Sequence, residues 1–545
     1  MNPVTLFKMS CRAQAALLSC IAVLCTASLF LHRDTVNFAY TEFPDDALFY
    51  NVIAHNVVSG SGVTSDGIGR TNGFHPLWMA VMILLTVCSP QAVPLEILVQ
   101  FLVSVLIFYL MLLFLSRYTS RWIACCMVLI AAVDQSFFRV LYSGMESSLA
   151  MLFLLTALLM AQKFWTDPGN RKIRITFSLS LALLFFARLD GILMWIAFSA
   201  VFLLSSSRKA GVRARSRQVF SCLTIPGAAA LIYFVFNYLT YHTVMPISGV
   251  IKSYSITQIL SLNPQEYFSR AMVRLGYLYS MSFIELPLSR ILKVFGGEAL
   301  SYVPLLYGVS VCLVIGAGLF QLFKKRQADF SLQLLTAYVA LHTFYYCFLQ
   351  YDTYSLSWAH GPQLLFVALA CCRVVWCLQN SIRLNVALSF KVSMLLIVFL
   401  LTQTYNIRAR WPQGTILNDF RISIDDFQSA LSFIHDTIPE NAVIATHNLG
   451  FIGYLSQRKV MSADGLLNSY YYYAQYFKTK KIYAYLTRYS IKYIAEVVPE
   501  KTETVPYILK KYPGLTTNGI LFIKEFTTGL TLPEIARKYA VVLLK

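Results

Sequence analysis

A chain of 545 residues with 57% hydrophobic and only 13% charged residues falls well short of the charge content of soluble proteins, about 25%. Its net charge of +19 would suit nucleic acid, but the basic residues sit in short clusters between apolar runs: Arg171, Lys172 and Arg174; Arg208, Lys209, Arg213, Arg215 and Arg217; Lys324, Lys325 and Arg326. That is the pattern of cytoplasmic loops in a polytopic membrane protein, so the expected surroundings are membrane lipids and not nucleic acid.

The first apolar run, 13–32, follows Lys8 and Arg12 and reads as an uncleaved signal anchor. Further runs lie near 76–95, 97–116, 121–134, 145–164, 173–189, 191–206, 218–238, 301–322, 329–350, 361–378 and 386–405. Spanning helices need about 20 residues, so about 11–13 transmembrane helices are expected over a catalytic domain of residues 1–407. The basic clusters place both the first loop, 33–75, and the chain beyond 408 outside. Counting every run as a crossing breaks this topology between His75 and Arg121. Either one run there is not a full crossing, or Arg117 and Arg121 face outward. The twelve cysteines contain no CxxC and all precede residue 378, which indicates buried thiols rather than a disulfide framework or zinc site.

From about residue 408 charges become frequent. Asp425 to Asp436 reads as an amphipathic helix. Val443–Thr446, Lys459–Ala463, Ile491–Val498 and Ile520–Lys524 read as strands separated by helical patterns. This alternation predicts a small α/β domain, 408–545, with a mostly parallel sheet. Tyr470 to Tyr473 reads as an aromatic surface for lipid head groups or sugar rings.

The chemistry-bearing residues concentrate in the first loop. Pro44-Asp45-Asp46 opens a helical pattern in which Phe49, Ile53 and Val57 recur every four residues, and Gly60 and Gly62 end it. Asp45 or Asp46 could simply cap that helix, but capping accounts for one acid and not two. A carboxylate at the bilayer edge can act as general base toward an acceptor hydroxyl, contributing about 10²–10⁴-fold. Arg70, Asn72 and His75 supply a fixed charge, an amide and an imidazole suited to a phosphate or a sugar. His75-Pro76 also suits a helix start. Lys252 follows Pro246-Ile247-Ser248-Gly249 in an outward loop, where it can meet a phosphate or solvent. Glu146 and Asp190 fall at outward span ends beside glycines, as hydroxyl-binding groups or as caps, and Arg188 is spaced to pair with Asp190. An acidic pair can hold a divalent cation, but it lacks a full ligand set. No glycine-rich phosphate loop follows a strand, so nothing reads as a nucleotide-sugar site.

Taken together, Asp45-Asp46-Ala47, Asn72-Gly73-Phe74-His75-Pro76-Leu77-Trp78, Ser143-Gly144-Met145-Glu146, Ala187-Arg188-Leu189-Asp190-Gly191 and Pro246–Lys252 resemble the motifs of the GT-C superfamily of membrane glycosyltransferases. The nearest likeness is to bacterial cell-envelope enzymes related to arabinofuranosyltransferases. Protein O-mannosyltransferases and aminoarabinose transferases are more distant. Asp464-Gly465-Leu466-Leu467-Asn468-Ser469 is similar to a motif of their C-terminal domains. The resemblance implies a GT-C-like helical fold in the bacterial inner membrane with its active site and C-terminal domain facing the periplasm. It also implies a polyprenyl-phosphate-linked sugar donor, a glycan or glycolipid acceptor, and inversion at the anomeric carbon. It makes Asp45 or Asp46 the base, with Asp45 preferred, and Lys252, Arg70 and His75 the phosphate ligands. Relatives often carry an Arg-Tyr pair where Ala359-His360 stands here, so His360 is the expected replacement. The competing readings are a flippase of lipid-linked sugars and a non-catalytic envelope-assembly protein.

Overall fold

The computed structural model describes residues 19, 43–204, 211–253, 259, 261–280, 329–350, 356–382, 424–499, 501–526 and 537–545. These fall into two compact units. One is drawn mainly from Val99–Ala230 and Ser253–Ile407, the other from Arg33–Leu98, Leu231–Lys252 and Arg408–Lys545. Apart from Ser19, the expected apolar runs at 13–32, 301–322 and 386–405 lie outside the described residues.

Among the described residues, four helices are long and apolar enough to cross a membrane: Val93–Leu115, Ser147–Thr166, Val212–Tyr241 and Phe330–Leu349. The run near 121–134 is a broken segment, Arg121–Ala132 and Ser136–Tyr142, bent by 70°. Asp134 makes the break, because its carboxylate accepts from Ser136 N (3.0 Å) and Phe137 N (3.1 Å) and starts a new helix. The helix after His75 is Pro76–Cys88, of 13 residues. At 1.5 Å per residue it is about 20 Å long, short of the roughly 30 Å hydrocarbon core.

In the first unit, Ser147–Thr166 and Arg171–Ala187 form a helical hairpin. Asn170 starts its second arm by accepting from Lys172 N (3.1 Å) and Ile173 N (3.3 Å). Phe164, Phe177, Phe198 and Phe202 are fully buried, and Trp165 stacks on Phe330 at 4.6 Å. Aromatic rings in face and edge contact fix these helices where lipid-like surroundings leave little hydrophobic drive between them.

The second unit contains a five-stranded sheet in the order β2-β1-β3-β5-β4, with β1 Val443–Thr446, β2 Lys459–Ser462, β3 Tyr493–Pro499, β4 Ile520–Phe526 and β5 Arg537–Leu544. β1 pairs in parallel with β2 and β3, whereas β5 runs antiparallel to β3 and β4. The sheet is thus mixed rather than mostly parallel. The unforeseen fifth strand enters between β3 and β4 and reverses the direction. Helix Ile424–Thr437 matches its expected position and buries Phe427, Ala430 and Ile434 completely, one apolar stripe of a 3.6-residue period.

The tyrosine run divides its roles. Tyr472 is fully buried and donates to Ala463 O (2.7 Å), while Tyr470 and Tyr471 are 37% and 45% exposed. One ring of the expected surface is therefore a core residue.

Candidate active site

Within the second unit, four chain segments meet at the carboxyl ends of β1 and β2. Crevices beyond the carboxyl ends of parallel strands are the usual place for ligands in α/β sheets. Thr446 pairs with Ser462 in the last register of the two strands. Ala463 N then donates to Thr446 O (2.8 Å). His447, after β1, and Asp464, after β2, consequently leave neighbouring strand ends. Gly465 brings the Asp464 turn against helix Ile247–Lys252, since a Cβ there would fall 3.0 Å from Ile251 Cδ1.

The two aspartates of helix Asp45–Val58 do different things. Asp45 Oδ1 accepts from Phe451 N (2.9 Å). It caps helix Leu449–Ser456, whose own Asn448 makes no side-chain cap. The approach is so close that a Cβ on Gly450 would lie 1.9 Å from the Asp45 carbonyl oxygen. Asp46 Oδ2 instead accepts from Lys252 Nζ (3.3 Å), and both side chains stay partly accessible, at 23% and 19%. The charges of Asp46 and His447 both act on Asp464. Burial raises the proton affinity of Asp464, against opposing contributions from His447, Ser462 and the Leu466 amide.

Of the remaining first-loop candidates, Asn72 reaches the helix that carries Lys252, whereas the described interactions of Arg70 and His75 are with Tyr241 and Tyr50 and not with the Asp46–Lys252 pair. Asn72 is buried. Its Oδ1 accepts from Ile247 N (3.0 Å) and its Nδ2 donates to Met245 O (3.5 Å), so it anchors the start of the helix that carries Lys252. His75 is half-buried, and its backbone N–H donates to the Tyr50 hydroxyl (3.2 Å). Arg70 is exposed and lies near Tyr241. Gly73 has no room for a side chain, because a Cβ would sit 2.0 Å from Leu466 O. Gly73→Ala is expected to unseat the 69–73 loop from the 464–469 turn. Overlap with backbone cannot be relieved by a rotamer change, so a loss of at least about 1–3 kcal/mol follows, readable as a lower unfolding midpoint of the purified chain.

Glu146 and Asp190 belong to the other unit, where Arg188 joins them. Its guanidinium donates to Glu146 Oε1 (2.6 Å), to Asp190 Oδ2 (3.1 Å) and to the Tyr346 hydroxyl (2.6 Å). Tyr346 in turn donates to Asp190 Oδ2 (2.5 Å), and His342 Nε2 lies 3.6 Å from the same oxygen. All five side chains are largely buried. A cavity of about 20 Å³ lies beside the network, lined by Met151, Leu154, Arg188, Asp190, His342 and Trp358. That is room on the scale of one water molecule, not of a sugar. His360 is fully buried in this unit, and its carbonyl accepts from Leu364 N (3.0 Å).

Sequence reasoning passed over His447 and Glu496. His447 Nδ1 lies 2.7 Å from Glu496 Oε1, which also accepts from His447 N (2.9 Å) and the Tyr512 hydroxyl (2.6 Å). Burial alone would raise Glu496, but the His447 ring, Lys511 and Tyr512 outweigh it and hold this carboxyl below its ordinary range. The available signal was a histidine directly after the strand pattern Val443-Ile444-Ala445-Thr446. As for metal, Asp46 is paired with an ammonium group. Among the described residues no cluster of three or more His, Cys, Asp or Glu is placed to hold an ion. These residues do not fit a divalent cation.

A mostly helical fold with several long apolar helices and a five-stranded α/β domain agrees with the GT-C-like architecture that the sequence motifs resemble, and the chain shares its fold with solved oligosaccharyltransferase and ArnT structures. The Archaeoglobus fulgidus oligosaccharyltransferase, solved with Zn and sulfate, matches at a TM-score of 0.55 and 13% identity, over 94% of this chain and 72% of that one. The same organism's AglB, in complex with an inhibitory peptide and a dolichol-phosphate, matches at 0.52 and 11%, over 90% and 70%. ArnT from Cupriavidus metallidurans, bound to undecaprenyl phosphate, matches at 0.52 and 11%, over 98% of both chains. Residues 418–542 match a sequence family described as a domain of unknown function, DUF8728. No curated protein matches the sequence.

Proposed function

We propose that this chain is a GT-C-type glycosyltransferase of the bacterial inner membrane. It moves a sugar from a polyprenyl-phosphate donor to a cell-envelope glycan or glycolipid on the periplasmic side, which its active site and C-terminal domain face. The accessible Asp46–Lys252 pair is the observation that carries this reading. The acceptor oxygen attacks the anomeric carbon from the face opposite the phosphate, and Asp46 takes the hydroxyl proton. The bond from the anomeric carbon to the phosphate oxygen breaks, and its electron pair leaves with the polyprenyl phosphate. Lys252 carries three N–H donors, so it can hold Asp46 in place and also meet charge developing on the phosphate. Arg70 and His75, from the same loop, stand in reserve for that phosphate. Asp45, engaged as a helix cap, is the positioning partner. Glu146 and Asp190 are left out of the acceptor site because Arg188 occupies both carboxylates. Relatives of this fold solved with dolichol-phosphate and undecaprenyl phosphate support a lipid-linked donor.

The test is sugar transfer by the purified full-length chain in liposomes, supplied with undecaprenyl-phosphate-linked sugars and envelope glycans and read by mass spectrometry. Lys252→Met is expected to lower turnover about 10²–10³-fold, the usual loss of one preorganised charge-stabilising donor. Transfer at the wild-type rate in that variant would remove Lys252 from the mechanism.

A further inference from the structure

The His447–Glu496 pair is an unusual expense in a small domain. Glu496 is fully buried on β3, its Oε1 gathers three donors, and its Oε2 has no hydrogen-bond partner among the described residues. A buried carboxylate costs several kcal/mol unless compensated, so a core strand would ordinarily hold an apolar residue here. What the carboxylate accomplishes is to fix one imidazole. A carboxylate only accepts, so Nδ1 of His447 carries the proton and donates to Glu496, and the ring is locked with Nε2 on its far side. The His447 side chain keeps 13% exposure while Glu496 keeps none. It stands at the carboxyl end of β1, three residues before the Gly450 segment that meets Asp45, and beside the Asp464 turn packed on the Lys252 helix.

We propose that His447 is a phosphate-binding residue of this site, presenting Nε2–H to an oxygen of a phosphate monoester or diester while Glu496 holds the ring from behind. The assignment rests on the glycosyltransferase reading above and extends it, since it gives the α/β domain a direct hold on the group that leaves. In the doubly protonated ring both nitrogens donate, so Nδ1–H faces Glu496 and Nε2–H faces the phosphate oxygen. Tyr512, donating to the same Oε1, keeps that carboxylate from rotating away.

Two near-isosteric substitutions separate the donor from the scaffold. Asparagine at 447 can reach Glu496 as Nδ1 does but offers nothing at the Nε2 position, whereas glutamine places an amide N–H there. Binding of undecaprenyl phosphate, undecaprenol and inorganic phosphate to the purified full-length chain is measured for wild type, His447→Asn and His447→Gln, each checked for an unchanged unfolding midpoint. The expected result is about 10-fold weaker undecaprenyl phosphate binding in His447→Asn, the scale of one charge-assisted hydrogen bond. Recovery in His447→Gln and unchanged undecaprenol binding throughout are also expected. Inorganic phosphate that competes in wild type, and competes less well in His447→Asn, assigns the contact to the phosphate itself rather than to the prenyl chain. Wild-type affinity for undecaprenyl phosphate in His447→Asn overturns this assignment and leaves the enzyme reading intact. So does an equal loss for undecaprenol, which marks a structural role. Failure of the wild-type chain to bind undecaprenyl phosphate at all overturns the donor reading along with it.

Discussion

Asp46→Asn is expected to lower sugar transfer by about 10²–10⁴-fold, the contribution of a positioned general base, while membrane insertion and yield stay at wild-type levels. Asn keeps the shape of the side chain and an oxygen that can still accept from Lys252, so the basic carboxylate and its charge are removed while the geometry is kept. Asp45→Asn is expected to behave differently. Its amide oxygen can still cap Phe451 N, and turnover stays within a few-fold of wild type. Asp45→Ala removes the cap and costs about 0.5–2 kcal/mol of stability, with activity falling only as the loop loosens. The decisive measurement is turnover and unfolding midpoint for all three variants side by side. Full activity in Asp46→Asn together with a dead Asp45→Asn would reverse the assignment of the pair. A flippase would tolerate Asp46→Asn in a lipid-translocation assay, whereas the transferase loses its product.

Arg188→Met should be the most damaging single change in the first unit. Removal of the guanidinium strands Glu146 and Asp190, whose side chains are 1% and 7% exposed. Breaking a buried ion pair in this way costs about 3–5 kcal/mol, a large part of the stability of an ordinary domain. Extraction in detergent should then yield little monodisperse protein. Adding Glu146→Gln and Asp190→Asn to Arg188→Met should recover part of the loss, because no uncompensated charge remains. The coupling is read by a mutant cycle on the unfolding midpoint. Strictly additive losses would mean that the three side chains do not act as one network.

The membrane class and the α/β end of the chain were legible because both rest on local pattern: long apolar runs, basic clusters, and short β-branched strands separated by helices. Strand β5 was not, since Tyr539 to Leu544 is a single apolar run whose place between β3 and β4 is set by pairing partners far away in sequence. The site shows the same division. Asp45-Asp46 and Lys252 stood out by residue type and spacing. Which acid faces Lys252 and which caps a helix depended on Phe451, 406 residues onward, and no local signal encodes that. Asn72 looked like a ligand, and its partners turned out to be the backbone of Met245 and Ile247. His447 carried no motif at all; its distinction comes from Glu496 on another strand.

The glycine contacts bear on how such proteins diversify. Gly73 lies against Leu466 and Gly450 against Asp45, in each case with a backbone oxygen where a methyl group would go. Surfaces so tightly mated must change in concert. A chimera that borrows residues 408–545 from a cousin should work only when it borrows 43–75 as well, so substrate choice in this architecture would be inherited as a matched cassette of both pieces.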